Sequence, residues 1–147
     1  MKLLLDEDVP EPLLILIRHL LRRPEPKHVI EHVASLGWKS KKDLPLYRDA
    51  AQRQFHAILT NDISQFNDPD ECRAIQRSGL HHISYELDDG LDGLALASAA
   101  ICAAMRPVIA ALEAASTQRI VRIHRVASSR RRFDISNPAT DPPSQYW

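Results

Sequence analysis

Two short apolar runs, each stopped abruptly by polar residues, constrain the fold of this chain more than any other feature. The first is Lys2–Leu5, which ends at the acidic residues 6–8, and the second is Ala57–Thr60, which ends at residues 61–62, Asn and Asp. A run this short that is apolar on both faces is typical of a buried strand in a parallel sheet. The two runs therefore predict a parallel sheet with acidic side chains at its carboxyl edge.

The rest of the chain shows the spacing of helices and further strands. Apolar residues recur at helical intervals in stretches that predict helices at residues 13–21, 43–54, 70–76 and 91–115. Other apolar or alternating stretches predict strands at residues 28–33, 83–87 and 120–126. Pro107 predicts a kink or a break in the last helix, whose apolar stripe belongs either to the core or to a surface that pairs two copies. This order predicts an α/β fold with a central, mostly parallel sheet and helices on both faces.

Two pairs of histidines test whether the chain carries a histidine metal site. His28 and His32 are four residues apart, which is the spacing of a helical metal pair. Val29 and Val33, however, favour one face of a strand here, and no third ligand is evident, so we interpret the histidines as ordinary surface residues. We place the second pair, residues 81–82, in a solvated turn.

Composition narrows the class of protein. The 147 residues carry 19 Lys and Arg against 19 Asp and Glu, which argues against a protein that coats nucleic acid by bulk charge. Cys72 and Cys102 are too few for a disulfide scaffold and are interpreted as reduced packing thiols. The uncharged, Ala-rich stretch that begins at Gly93 is shorter than the ~20 residues that span a bilayer. We therefore expect one soluble domain in the cytoplasm, with no membrane partner.

The acidic residues at the two strand ends suggest a metal site. If the strands are neighbours, the side chains of Asp6 and Asp62 converge in one crevice. Clustered carboxylates repel one another, which raises the pKa of at least one of them unless a cation neutralises the group. A hard divalent ion, Mg²⁺ or Mn²⁺, suits such an all-oxygen site. The alternative is that both aspartates cap the helices that follow them.

Three segments in order resemble the motifs of compact PIN-like domains. Residues 1–10 resemble the opening of these domains: an apolar strand, an Asp-Glu pair and a proline. Residues 58–62 with Phe66 resemble their third acidic motif, and residues 32–37, followed by Asp43 at the head of a helix, match the order and spacing between the two. The resemblance covers about residues 1–87 well and the rest by element order only.

The resemblance implies both an architecture and an activity. It implies a three-layer PIN-like fold with an acidic pocket that holds Mg²⁺ or Mn²⁺ and hydrolyses RNA. Many small single-domain members, of the VapC type, are toxins of toxin–antitoxin pairs and are neutralised by a partner protein. Such proteins commonly pair, so a homodimer is a further expectation.

The resemblance also assigns residues to the site. It makes Asp6 the first metal ligand, Asp62 the ligand of the third motif, and Asp43 the acidic residue of the intervening helix. Secondary candidates, whose groups would orient waters or a phosphate, are Glu7, Asp8 and Asn61. Asn61 is equally interpretable as a turn former.

The third motif departs from the family pattern in one place. The family usually has another acid two residues after the third-motif aspartate, where this chain has Ser64, and Phe66 comes one residue late. Asp68 or Asp70 would replace that acid through a shifted loop. If neither does, fewer carboxylates bind the metal and the activity is weak or absent.

The C-terminal region is basic and ends in a polar segment. Its arginines are interpreted either as a solvated edge and loop or as contacts for RNA phosphates or an acidic partner: Arg119, Arg122, Arg125, Arg130, Arg131 and Arg132. We predict a domain at residues 1–135 and a flexible tail at residues 136–147, which is rich in proline and poor in apolar residues.

These patterns predict a metal-dependent endoribonuclease, most specifically a toxin, with RNA as substrate and an antitoxin as partner. The alternative is a PIN-like module that has lost catalysis and serves in binding, which the serine at position 64 favours. A phospho-acceptor receiver domain also pairs acids after its first strand, but it needs a lysine after a late strand, where this chain has Asp88 and Asp89.

Overall fold

A five-stranded, all-parallel sheet organises the molecule in the computed structural model, which describes residues 1–22, 28–88 and 90–126. The strands are β1 (Lys2–Leu5), β2 (Val29–His32), β3 (Ala57–Thr60), β4 (His81–Tyr85) and β5 (Ile120–Ile123). The helices are α1 (Glu11–Leu20), α2 (Asp43–Gln52), α3 (Pro69–Ser78) and α4 (Gly90–Glu113). Two short 3₁₀ helices, Val33–Leu36 and Ser64–Asn67, follow β2 and β3. The predicted α/β architecture is confirmed.

The strand order β2-β1-β3-β4-β5 places the two acid-tipped strands side by side. Leu5 pairs with His32 on one side and with Leu59 on the other, so β1 ends level with both neighbours. Because all strands are parallel, their carboxyl ends share one edge of the sheet. The chain reverses its winding direction between β1 and β3, and such a switch point is where open α/β sheets bind ligands.

The central strands are buried on both faces, as their unbroken apolar sequence predicts. Leu3 and Leu5 pack into one core with α1 and α4, whereas Leu4 points to the other core, beneath α2 and α3. Each of these leucines is at most 1% exposed. The sheet is therefore the middle of three layers, and its carboxyl edge is held rigidly from both sides.

Helix α4 is a core helix and runs through Pro107 without a break. Its stripe was expected either in the core or at a surface between copies, and Ile101, Met105 and Leu112 are buried in the core. With 24 residues and a mean hydropathy of 1.8, α4 is long and apolar enough to cross a membrane by length and composition alone. Length and composition are weak evidence for a membrane span, because the core helix of a soluble protein passes the same test.

Two expectations about histidines are wrong. His32 is 3% exposed, with Nε2 2.8 Å from the carbonyl oxygen of Val9 and Nδ1 accepting a hydrogen bond from the backbone N–H of Ala34 at 3.1 Å. It therefore joins β2 to the end of β1 instead of lying at the surface. His82 is fully buried inside β4, not in a turn, because that strand begins two residues earlier than its apolar residues indicate.

Strands β2 and β5 are also shorter than the sequence predicts. In β2 the inward residues are Ile30 and His32, while Val29 is 47% exposed and Val33 belongs to the 3₁₀ helix that follows. Strand β5 lies at the edge of the sheet, as expected, but it ends at Ile123 and not at residue 126. The arginine run at residues 130–132 and the tail predicted at residues 136–147 lie outside the described residues.

Candidate active site

The end of β1 delivers Asp6 directly to the carboxyl edge of the sheet. The backbone N–H of Asp6 donates to the carbonyl oxygen of Leu59 at 2.9 Å, so the pairing of β1 with β3 continues to this residue. Its carboxylate Oδ1 accepts the backbone N–H of Glu7 at 2.7 Å, and the residue is only 8% exposed. The sequence therefore places this acid as predicted, and the sheet buries it.

Asp8 ties the end of β1 to the end of β3. Its Oδ2 accepts hydrogen bonds from Thr60 Oγ1 at 3.0 Å and from the backbone N–H of Asn61 at 3.2 Å. Its other oxygen, Oδ1, is buried and has no hydrogen-bond partner among the described residues. A buried carboxylate oxygen without a partner is costly unless a proton, a water or a cation satisfies it.

Burial and mutual repulsion raise the pKa values of the clustered acids. Burial, then the charge of Asp8, raises the pKa of Asp6 to about 6, and the charge of Asp43 adds to the shift. Burial also raises the pKa values of Asp8 and Asp43, and the charge of Asp62 contributes in both cases. The four aspartates thus share one electrostatic environment, although they come from three separate segments of the chain.

Ser64 holds the turn that carries Asp62, and Asp68 caps the helix that follows. The backbone N–H and the hydroxyl of Ser64 both donate to Asp62 Oδ1, at 2.8 and 2.6 Å. Asp68 caps α3 by accepting the backbone N–H groups of Asp70 and Glu71. Ser64 therefore orients the third-motif aspartate where the family usually has an acid, and the oxygen of Asp68 that accepts these bonds is engaged by the helix.

Glu71 is an acid of the site that the sequence analysis missed. It lies in the first turn of α3, near the carboxyl group of Asp43. Burial raises its pKa, and the charges of Asp43 and Asp68 raise it further. An acid three residues after a helix-capping aspartate was the available signal, since that spacing places it at the same helix end.

Gln65 is the second residue that the sequence analysis missed. It is 1% exposed, its Nε2 donates to Asp43 Oδ1 at 3.1 Å, and its Oε1 accepts the hydroxyl of Tyr47 at 2.7 Å. Nothing in the sequence signals this role, because a glutamine in a polar loop is ordinarily exposed.

Glu7 and the paired arginines lie at the rim of this edge. The Oε2 of Glu7 accepts the backbone N–H of Ser40 at 2.5 Å, which ties down the loop before α2. Arg122 forms an ion pair with Glu86, and Arg125 pairs with Glu86 and, at 3.1 Å, with Asp88. These two arginines are thus neutralised locally, and they lower the pKa of Glu86.

The acids suit a divalent cation in chemistry, but they do not form a closed set of ligands. Among the described residues, no three His, Cys, Asp or Glu side chains gather closely enough to hold one ion. In the same part of the chain, no Lys or Arg forms an ion pair with Asp6, Asp8, Asp43 or Asp62. Mg²⁺ keeps several waters and is usually bound through one or two carboxylates plus substrate phosphates. The uncompensated charge and the unpartnered Asp8 Oδ1 therefore fit such an ion.

Comparison with known proteins gives one match. The model of a family described as "PIN like domain" matches residues 1–86, the part of the chain that holds β1 to β4 and every acid of the cluster. Searches of curated proteins and of solved structures found no match.

Proposed function

Because the chain belongs to the PIN-like domain family, whose members are commonly nucleases, we propose that it is a divalent-metal-dependent ribonuclease. Its metal would be Mg²⁺ or Mn²⁺, and its ligands would be Asp6, Asp43 and Asp62. The observation that carries this proposal is the buried, uncompensated pair Asp6 and Asp8 at the switch point of the sheet. A fold that only needed stability would place apolar or neutral groups there.

Different residues of the site would bind the ion and hold its ligands in place. A bound Mg²⁺ or Mn²⁺ supplies charge that polarises a phosphoryl oxygen and makes a water more acidic. Asp6 and Asp62 project from adjacent strand ends, and the two hydrogen bonds from Ser64 hold one oxygen of Asp62. Thr60 and the backbone of Asn61 hold one oxygen of Asp8, which leaves Oδ1 for the ion or for a water.

The biological role we propose is that of a cytoplasmic toxin restrained by an antitoxin protein. Its support is the resemblance of residues 1–87 to small, single-domain, VapC-type toxins. Pairing of two copies is a further proposal. It would use a surface other than the predicted stripe of α4, since that stripe faces the core.

A second candidate function is that of a PIN-like binding module without catalysis. Ser64 in place of an acid favours it, as does the finding that no three acids gather around one point among the described residues. Calorimetry with Mn²⁺ separates the two functions. Binding at millimolar affinity or better supports the nuclease, and no binding supports the module.

The first prediction concerns the two aspartates that follow the central strands. Asp6→Asn and Asp62→Asn should each lower Mg²⁺-dependent RNA cleavage by about 100-fold or more, because each removes a charge from the metal site. Cleavage is measured on a mixed single-stranded and structured RNA, with circular dichroism to verify folding. Asp49→Asn is the matched control, because Asp49 lies on α2 in ion pairs with Lys41 and Arg48. Cleavage at the wild-type rate in both site variants would refute the assignment.

A further inference from the structure

Gln65 is a buried polar side chain whose hydrogen bonds lead directly to an acid of the site. An amide buried to 1% exposure is unfavourable unless its donors and acceptor are satisfied. Here Nε2 donates to Asp43 Oδ1 at 3.1 Å and Oε1 accepts the Tyr47 hydroxyl at 2.7 Å. Gln65 lies in the 3₁₀ helix Ser64–Asn67, which follows Asp62 and turns its side chain into the interior.

Tyr47 determines which way the amide of Gln65 faces, and the His82 ring packs beside it. Tyr47 is fully buried, and burial raises its pKa, so its hydroxyl keeps its proton and donates to Oε1. The Nε2 of His82 lies 3.4 Å from the same oxygen, and the His82 ring stacks on Tyr47 and meets Phe66 edge to face. Because its oxygen accepts the Tyr47 hydroxyl, the amide presents its NH₂ group to Asp43.

The hydrogen bonds of Gln65 link the Asp43 carboxylate to Tyr47. Asp43 and Tyr47 are four residues apart on α2 and so lie on the same face of the helix. We propose that Gln65 is a positioning residue, which is anchored by Tyr47 and holds one oxygen of Asp43 so that the other is left for the cation.

This inference deepens the proposed function and depends on it for the identity of the ion. Its test uses Mn²⁺ alone and calorimetry, so it does not require RNA cleavage. Gln65→Met should weaken Mn²⁺ binding by about 10-fold, which is the lower range for the loss of a residue that orients a metal ligand. In an Asp43→Asn background the same substitution should change the affinity by less than about 2-fold, since the two residues act as one unit.

Two further variants make the test independent of a simple loss of stability. Gln118→Met is the matched control: Gln118 Nε2 donates to the carbonyl oxygens of Ile75 and Leu80 at 2.9 and 2.6 Å, far along the chain from the acids. It should lower the melting temperature but leave Mn²⁺ affinity unchanged. Tyr47→Phe removes only the hydroxyl that anchors Gln65, and should weaken Mn²⁺ binding less than Gln65→Met does and not at all in the Gln65→Met background.

The outcomes separate this inference from the proposed function. Equal weakening by Gln65→Met in the wild-type and Asp43→Asn backgrounds overturns the positioning role, as does an equal effect of Gln118→Met or the absence of Mn²⁺ binding by the wild type. If the coupling is found but the wild type cleaves no RNA, the positioning role stands and the nuclease proposal fails. If RNA is cleaved and no coupling is found, the nuclease proposal stands and the positioning role fails.

Discussion

Asp6 shows most directly that a side chain of the site opposes the stability of the fold. It is 8% exposed, and burial and the charge of Asp8 raise its pKa to about 6. His82 is also buried, and burial lowers its pKa to about 4. Both groups are favoured in their neutral forms, so ionised Asp6 makes the metal-free protein less stable at neutral pH.

Removing the charge of Asp6 should therefore stabilise the metal-free protein at high pH. The folded-state pKa of about 6 exceeds the ordinary value of 3.8, so the stabilisation by protonation is complete below pH 3.8 and lost as the pH rises through 6. Asp6→Asn should raise the free energy of unfolding by about 2 kcal/mol at pH 8 and hardly change it near pH 4. Urea denaturation at several pH values, with a chelator present, measures the difference.

The comparison between the two proteins removes the contribution of His82. That histidine has a lowered pKa, so the stability it confers is present above pH 6.5 and lost as the pH falls towards 4, opposite to the contribution of Asp6. Because His82 is present in both proteins, its effect cancels in the difference. A difference that does not change with pH would show that Asp6 is not strained by its charge.

Single residues also show how far sequence reasoning reaches. Asp6 and Asp62 are expected at the carboxyl edge because each follows an apolar strand, and Asp43 is assigned to the site by the family resemblance. Gln65 and Glu71 were not identified, because their roles depend on which loop and which helix end face Asp43. The hydrogen bond between Gln65 and Asp43 joins segments more than 20 residues apart, and no local sequence pattern encodes it.

At the scale of elements, α4 departs most from its sequence pattern. Pro107 predicts a kink or a break, since proline removes a backbone donor and crowds the preceding turn. The helix nevertheless continues from Gly90 to Glu113, because Met105, Ile109 and Leu112 pack against the sheet on both sides of the proline. Tertiary contacts thus outweigh a local preference against the helix.

Replacing this proline should stabilise the protein. Pro107→Ala restores a backbone donor at an exposed position, and should raise the free energy of unfolding by about 1 to 3 kcal/mol. Pro69→Ala is the control, because Pro69 begins α3, where proline costs nothing, and should leave stability unchanged or slightly lower. Thermal and urea unfolding measure both variants. A loss of stability in Pro107→Ala would mean that the proline is required for the packing of α4.

Most element types were predictable, while several faces and ends were not. The apolar runs of β1 and β3 and the helical spacing of α2 and α3 were read correctly. In β2, alternation places Val29 and Val33 on one face of a strand, but Val33 begins the 3₁₀ helix that follows, and Ile30 and His32 are the buried residues of the strand. A short strand with apolar residues on both faces does not specify its own orientation.

At the scale of the whole molecule, the order of the strands creates the site. With β1 between β2 and β3, the acids of two distant segments meet at the switch point. Helices α2 and α3 cover one face of the sheet and bring Asp43 and Glu71 to the same edge. The result is a group of acids whose negative charges destabilise the folded protein when no cation neutralises them.

A cation that neutralises this group should stabilise the entire fold. A ligand that binds only the folded state at 100 times its dissociation constant adds about 2.7 kcal/mol to stability. Mn²⁺ or Mg²⁺ should therefore raise the melting temperature of the wild type at pH 8, and a chelator should reverse the change. The melting temperature of Asp6→Asn should rise far less on addition of the same ion. Calorimetric scans of both proteins, with and without the ion, measure the difference. An equal rise in both would place the ion elsewhere.

Local pattern and motif order were enough to predict the alternation of strands and helices, the acidic residues at the ends of β1 and β3, and the PIN-like family. Three other features depend on long-range contacts: β1 and β3 are neighbours, His32 and His82 are internal, and Gln65 reaches Asp43. No local pattern encodes them, because burial and charge repulsion arise between distant segments that meet only once the sheet has formed.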